Sequence, residues 1–137
     1  MISFNSENDF VLADPEQLET WITEVVANEN FELGEINYIF CSDEYLHDLN
    51  VKYLNHDTLT DVISFDYTVG NVIQGDIYIS TDRVADNAKD FKVSFAEELH
   101  RVMVHGILHY CGYKDKSDLE LAAMRRMEDY YLNRFKG

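Results

Sequence analysis

The chain has 137 residues, of which 46% are hydrophobic and 27% are charged, so its length and composition suit one globular domain with a substantial core. Its net charge of −15 argues against nucleic-acid binding through bulk electrostatics, and DNA is not an expected partner. No stretch approaches the ~18 apolar residues of a membrane span, and residues 1–7 lack a signal-peptide pattern. We therefore expect a soluble, cytoplasmic protein, whose two cysteines suit a reducing compartment.

The first part of the chain predicts strands and helices in alternation. Residues 2–4 form a short first strand. Asp14-Pro15 opens a helix that continues to about residue 30, because aspartate caps helices and proline suits their first turn. Residues 36–41 alternate in side-chain character as a strand does. Ser42 is the expected cap of a second helix.

The rest of the chain predicts two strands and then three helices, at residues 62–65, 76–80, 81–89, 94–111 and 117–135. Ser94 and Ser117 each have a glutamate three residues later, which is the pattern of a capping box. The order β-α-β-α-β-β-α-α-α predicts an α+β fold, in which about five helices pack on a small mixed sheet of about four strands. A single domain is expected to span residues 1–137.

The helix at residues 94–111 carries the pattern His105-Gly-Ile-Leu-His109. Histidines four residues apart lie on one helix face, one turn from each other, and both can bind one ion. Gly112 is expected to end the helix and to let the chain bring Asp115 back toward the pair. Two imidazoles and one carboxylate, with a position left for water, form a catalytic zinc site. The sequence therefore predicts His105, His109 and Asp115 as metal ligands.

Neighbouring residues leave alternatives open. Gly106 stands where the zinc-protease pattern His-Glu-x-x-His has its general base, which disfavours a peptidase or amidase. We also expect this glycine to leave space beside the ion. Cys111 is a rival ligand, although it points about 200° around the helix from His109. Two histidines on a core helix also occur without any metal.

The positive charge of the chain lies close to this motif. Every lysine and arginine except Lys52 belongs to residues 83–137. Arg101, Lys114 and Lys116 are near the histidines in sequence. Because a local cluster of cations can bind a phosphate group even on an acidic protein, these three residues are predicted to bind substrate beside the metal.

Four segments occur in a distinctive order: Leu49-Asn-Val-Lys-Tyr53, Asp57-Thr-Leu-Thr-Asp-Val-Ile-Ser-Phe65, Gly75-Asp-Ile-Tyr-Ile-Ser80 and His105-Gly-Ile-Leu-His-Tyr-Cys-Gly-Tyr113. Together they resemble the YbeY family of metal-dependent endoribonucleases, over roughly residues 36–130. The resemblance implies an α+β domain with a zinc site that cleaves single-stranded RNA. It also implies a role in ribosomal RNA maturation at the 3′ end of the small-subunit RNA, and in ribosome quality control.

Two positions depart from the family pattern. Asp115 stands where the family usually has a third histidine, and a carboxylate makes the site harder, so a divalent metal other than zinc stays open. Leu54 stands where the family has an arginine that is thought to bind phosphate. The residues that would take over its role are Arg101, Lys114, Lys116 and His56.

The predicted activity is metal-assisted cleavage of a phosphodiester, in which a metal-bound water or the 2′-hydroxyl of the RNA attacks phosphorus. A cationic side chain would then stabilise the charge that develops on the phosphate oxygens. The alternative is a ribosome-assembly binding factor with a structural metal and little or no cleavage, which Leu54 and the acidic first half favour. Whether Asp57 and Asp61 act in the site or only hold the loop is left open.

Overall fold

The computed structural model describes residues 1–54 and 60–135, which form four strands and five helices. The strands are β1 (Ile2–Ser6), β2 (Glu32–Cys41), β3 (Val62–Asp66) and β4 (Val72–Ser80). The helices are α1 (Pro15–Asn28), α2 (Asp43–Leu54), α3 (Thr81–Phe91), α4 (Phe95–Tyr110) and α5 (Asp118–Arg134). The predicted α+β class and the order of the elements are confirmed. Within those two ranges, no helix combines the length and the apolar character needed to cross a membrane.

The sheet is mixed, as predicted, with the strand order β1-β2-β4-β3. β1 and β4 both pair in parallel with β2, and β3 pairs antiparallel with β4. Alternate residues of β2 face the core: Ile36, Tyr38 and Phe40 are all fully buried. Because side chains on a strand alternate between two faces, this pattern places one face of the sheet against the helices.

α4 packs on that buried face and is the central helix of the core. Its residues Met103, Val104 and Leu108 are fully buried, and the Tyr38 hydroxyl donates a hydrogen bond of 2.8 Å to the Met103 carbonyl. Gly106 lies directly against β4, because a Cβ built on it would be 2.9 Å from Cδ1 of Ile77. The expectation that Gly106 leaves space beside an ion is therefore wrong. This glycine instead lets the helix approach the sheet.

Serine side chains fix the starts of the last two helices. The Ser94 hydroxyl accepts a hydrogen bond from the Glu97 N–H, and Ser117 and Glu120 form both halves of a capping box. Asp14 precedes α1 as predicted but does not cap it with its side chain, because its backbone is left-handed with φ 54°. The predicted side-chain cap at Asp14 is therefore wrong, while proline does occupy the first helical turn.

Candidate metal centre

Three predicted ligands converge at the C-terminal end of α4. Nε2 of His105 lies 3.0 Å from Nε2 of His109, and each of these atoms lies 3.3 Å from Oδ2 of Asp115. In the described part of the chain, this is the one group of three or more His, Cys, Asp or Glu residues whose ligand atoms lie within 4.8 Å of one another. The three side chains are 19%, 30% and 34% exposed, so the group is open to solvent on one side.

A tight turn after α4 brings Asp115 to the histidines. The Gly112 N–H donates to the His109 carbonyl and the Tyr113 N–H donates to the Leu108 carbonyl, both at 3.0 Å. These two bonds form a Schellman motif, which ends a helix and reverses the chain. Gly112 has φ 101°, a conformation that residues with a side chain rarely adopt. The prediction that Gly112 ends the helix is confirmed.

His105 is held from the side away from the ligand group by a carboxylate that sequence reasoning missed. Its Nδ1 lies 2.6 Å from Oε2 of Glu128, a buried residue of α5. The guanidinium of Arg101 in turn donates to Glu128 at 2.9 Å and to Asp129 at 2.7 Å. A histidine that donates its Nδ1 proton to a carboxylate presents an Nε2 lone pair, which is the usual support of a metal-binding imidazole.

His109 is held by its own backbone turn. Its Nδ1 lies 3.1 Å from the Tyr113 carbonyl oxygen. Because a carbonyl only accepts hydrogen bonds, Nδ1 carries the proton and Nε2 presents a lone pair. With these tautomers, two imidazole lone pairs and a carboxylate oxygen face one point, an arrangement that suits a cation.

The spacing of these atoms fits a divalent ion. Bonds of about 2.0–2.1 Å in a tetrahedral zinc site place neighbouring ligand atoms about 3.3 Å apart. The distances in this group, 3.0 and 3.3 Å, are close to that value. The arrangement is therefore a possible metal site formed by His105, His109 and Asp115.

The surroundings of the site are acidic. Burial disfavours the charged form of His105, but the hydrogen bond to Glu128 and the charges of Glu128, Asp115 and Asp61 outweigh it and raise the pKa of His105. Burial also raises the pKa of Asp61, which faces the same region. A site surrounded by carboxylates favours a cation over an anion.

Cys111, the rival ligand, takes no part in the group. Burial, together with the negative charge of Glu29, raises the pKa of the Cys111 thiol to about 12, and a thiol binds metal only after it has lost its proton. His56, which was predicted to bind substrate, lies outside the described residues, as does Asp57.

The other predicted substrate-binding residues lie on two sides of the metal site. Arg101 and His105 line a cavity of about 260 Å³, which we call the His105 cavity. Lys114 and Lys116 are exposed, and they line a depression of about 410 Å³ together with His109. The lysines are thus placed for contact with a ligand, whereas the charge of Arg101 is already engaged by the carboxylates of α5.

The fold and this site define the class of protein: a small α+β protein with a possible metal site made from one helix and the turn after it. The chain matches the family model described as Endoribonuclease YbeY over residues 2–136, and it belongs to that family. A relative named Endoribonuclease YbeY from Flavobacterium johnsoniae is 64% identical over 129 residues, which are 94% of this chain and 93% of the relative. A relative of the same name from Amoebophilus asiaticus is 47% identical over 130 residues, or 94% and 88% of the two chains.

A solved structure is similar over most of its length. The solution structure of TM1509 from Thermotoga maritima is 29% identical to this chain, with a TM-score of 0.71. The match covers 97% of this chain and 87% of that one. The sheet with its packed helices is therefore a fold shared beyond the near relatives.

Proposed function

We propose that this chain is a metal-dependent endoribonuclease that cleaves single-stranded RNA during ribosomal RNA maturation. Membership of the Endoribonuclease YbeY family makes it a nuclease, which argues against a peptidase and does not favour a binding factor without cleavage. The observation that carries the proposal is the convergence of two imidazole lone pairs and a carboxylate oxygen, 3.0–3.3 Å apart. The catalytic and metal-binding residues are His105, His109 and Asp115.

The ion that we propose is zinc, because two imidazole nitrogens and one carboxylate oxygen are a usual zinc donor set. Asp115 makes the site harder than three histidines would, so Mn²⁺ ranks second. When bound, the ion would act as a Lewis acid toward the scissile phosphate and lower the pKa of a water. The nucleophile is that water or the 2′-hydroxyl of the RNA.

The protein's own side chains hold and surround this site. Glu128 and the Tyr113 carbonyl each hold the Nδ1 proton of one histidine and so fix the direction of its Nε2. Lys114 and Lys116 attract the phosphates of the RNA backbone from the exposed side. Arg101 is a positioning residue, since its two ion pairs fix the carboxylate that orients His105.

The biological setting that we propose follows the family resemblance. The substrate is ribosomal RNA at the 3′ end of the small-subunit RNA, the partner is the small ribosomal subunit, and the activity also serves ribosome quality control in the cytoplasm. His56 is a further candidate for phosphate binding, because it stands close in sequence to the position that has an arginine in the family pattern.

The test measures metal content and RNA cleavage on the same preparations, purified without chelator or His-tag. We expect about one zinc ion per chain and cleavage of an end-labelled single-stranded RNA, because a catalytic site of three protein ligands holds one ion. His109→Ala and Asp115→Ala are expected to lose both properties. Asp115→His, which restores a third imidazole, is expected to retain the ion.

The matched control is Asp118→Ala, which removes an exposed carboxylate three residues from Asp115 and should keep both metal and cleavage. If both Ala variants of the ligands cleaved as fast as the unaltered protein, a contaminating nuclease would be the source of the activity. A protein that holds its ion and binds small-subunit particles but cleaves no RNA would be a binding factor.

A further inference from the structure

The His105 cavity lies beside the metal ligands and is built from three helices and the start of β3. Its apolar wall includes Phe91 of α3 and Leu121 and Met124 of α5, and Glu98 of α4 supplies a carboxylate. Phe91 and Leu121 are 55% and 52% exposed, so both side chains remain accessible to a ligand. The remaining lining is mostly polar or charged, so the cavity combines an apolar wall with groups that can orient a ligand.

Glu98 is the unusual member of this lining. It is only 5% exposed, yet its carboxylate forms no hydrogen bond or ion pair with any other residue in the ranges 1–54 and 60–135. Burial and the negative charge of Asp61 raise the pKa of Glu98, although Arg101 and Arg125 oppose this effect. Among the described residues, the only fully enclosed side-chain atom without a hydrogen-bond partner is Nε of Arg83. The oxygens of Glu98 therefore open onto the cavity, where a ligand with N–H donors can reach them.

A second metal ion does not fit this acceptor well. The only described cluster whose ligand atoms lie close enough to share an ion is the group of His105, His109 and Asp115. The carboxylates of Asp61 and Glu98 therefore do not close around one cation together with a third ligand. A ligand with N–H donors and a flat apolar body fits better.

A nucleobase has both properties, and the bases differ in the edge that they present. Guanine offers two adjacent donors, N1–H and the N2 amino group, which a carboxylate can accept side by side. Adenine and cytosine have an acceptor next to their amino group, and uracil has one N–H between two carbonyls. An aromatic side chain such as Phe91 supplies a surface on which a base stacks.

We propose that the His105 cavity binds a guanine base of the RNA, with Glu98 accepting from N1–H and N2–H and Phe91 stacking on the ring. Glu98 lies seven residues before His105 on α4, so both side chains are on the same helix face. The bound guanine would therefore belong to a nucleotide next to the cleaved phosphate. This inference rests on the proposed function, because it assigns the base preference of that nuclease.

The test uses labelled oligonucleotides of 2′-O-methyluridine with one central G, A, C or U, which lack the 2′-hydroxyl nucleophile. Fluorescence anisotropy of the metal-loaded protein should give about tenfold tighter binding of the G oligonucleotide, as expected for one bidentate base contact. Glu98→Gln, which keeps the shape but removes the charge, should reduce that preference to about twofold or less. Phe91→Ala should weaken binding of the G oligonucleotide several-fold.

Glu97→Gln is the matched control, since it makes the same change at the exposed neighbour on α4 and should leave the preference intact. Equal affinity for the four oligonucleotides, or a preference for A, C or U, would overturn the guanine assignment. The guanine assignment would also be overturned if the zinc-loaded protein bound Mn²⁺ and the Glu98→Gln variant did not. If Glu98→Gln proves unstable in thermal unfolding, the exposed Phe91→Ala variant and the four-base comparison still decide the matter.

Ribonucleotide versions of the same oligonucleotides separate this inference from the proposed function. Cleavage at equal rates for all four central bases would support the nuclease and refute the guanine site. Guanine-selective binding without any metal-dependent cleavage would support the site and refute the nuclease.

Discussion

The two histidines of the candidate metal site are one helical turn apart, yet their environments differ in kind. His105 is held by a buried charged carboxylate of another helix, Glu128, at 2.6 Å. His109 is held by the neutral carbonyl of Tyr113, four residues further along the chain, at 3.1 Å. One ligand therefore depends on the packing of α4 against α5, and the other depends on the turn that follows α4.

We call His105 with Glu128 the tertiary half of the site, because it joins two helices, and His109 with the turn after α4 the local half. A carboxylate partner adds negative charge to its imidazole and makes it a better donor to a cation, which a carbonyl does more weakly.

The local half is held mainly by backbone hydrogen bonds between Leu108 and Tyr113 and by the contact of His109 with the Tyr113 carbonyl. Within the described residues, its one side-chain bond to a distant element is that of the Tyr113 hydroxyl, which donates to Glu29 at 3.0 Å. Substitutions in the tertiary half should therefore change mainly the zinc affinity, whereas substitutions in the local half should change mainly the free energy of unfolding.

The largest effect is expected from the tertiary half. Glu128→Gln removes the charge beside His105 and should lower zinc affinity about 10–100-fold, as for other partners of metal-binding histidines. Competition with a chromophoric chelator measures this affinity. Asp129→Asn is the control, because it neutralises the other carboxylate partner of Arg101. The Asp129 side chain is 54% exposed, so this variant should change the zinc affinity little. Equal affinities in the two variants would mean that Glu128 does not support the ligand.

An intermediate effect is expected from the local half. Gly112→Ala places a side chain at φ 101° and should lower the free energy of unfolding by about 1–2 kcal/mol, with weaker metal binding through a displaced Asp115. Gly70→Ala is matched to it, because Gly70 also has a positive φ, of 61°, with no atom near an added Cβ. Denaturant unfolding should show a similar loss in both variants. If Gly70→Ala weakened metal binding as much, the turn after α4 would have no special role.

The smallest effect is expected from the lysines on the exposed side. Replacing Lys114 and Lys116 by glutamine should reduce the salt dependence of single-stranded RNA binding by about 1.4 in log–log slope, because each phosphate contact contributes about 0.7. Titrations at several salt concentrations measure this slope. The paired control, Lys89→Gln on α3 with Lys92→Gln directly after it, removes the same charge from the acidic protein elsewhere. Equal slopes in both double variants would show that only net charge matters.

The same contrast explains how much the sequence could predict. The order of strands and helices followed from local alternation and capping signals, and the grouping of His105, His109 and Asp115 followed from helical spacing and the glycine at position 112. Glu128 was missed because it lies 23 residues from His105, on a helix whose docking no local pattern specifies. The one sequence signal for Glu128 was that this glutamate lies on the same face of α5 as the apolar residues that the structure buries.

Two further predictions were wrong, one for a tertiary reason and one for a local reason. Gly106 was expected to leave space at the ion because it adjoins His105 in sequence. The sequence does not show that this side of the helix faces β4. Asp14 was expected to cap α1 with its side chain, but its left-handed backbone prevents the usual geometry. The role of Arg101 also depends on tertiary contacts, because its two carboxylate partners are 27 and 28 residues away.

The close packing of Gly106 on Ile77 limits how this scaffold can change its chemistry. Zinc peptidases place a glutamate at the position after their first histidine. Here a Cβ at that position would lie 2.9 Å from Cδ1 of Ile77, so any larger residue requires the Ile77 side chain to shift. Because Gly106 is buried, a glutamate there would also place a carboxylate among core side chains, which is costly without a hydrogen-bond partner. The packing of the core therefore opposes a single substitution toward the peptidase pattern, independently of the metal ligands.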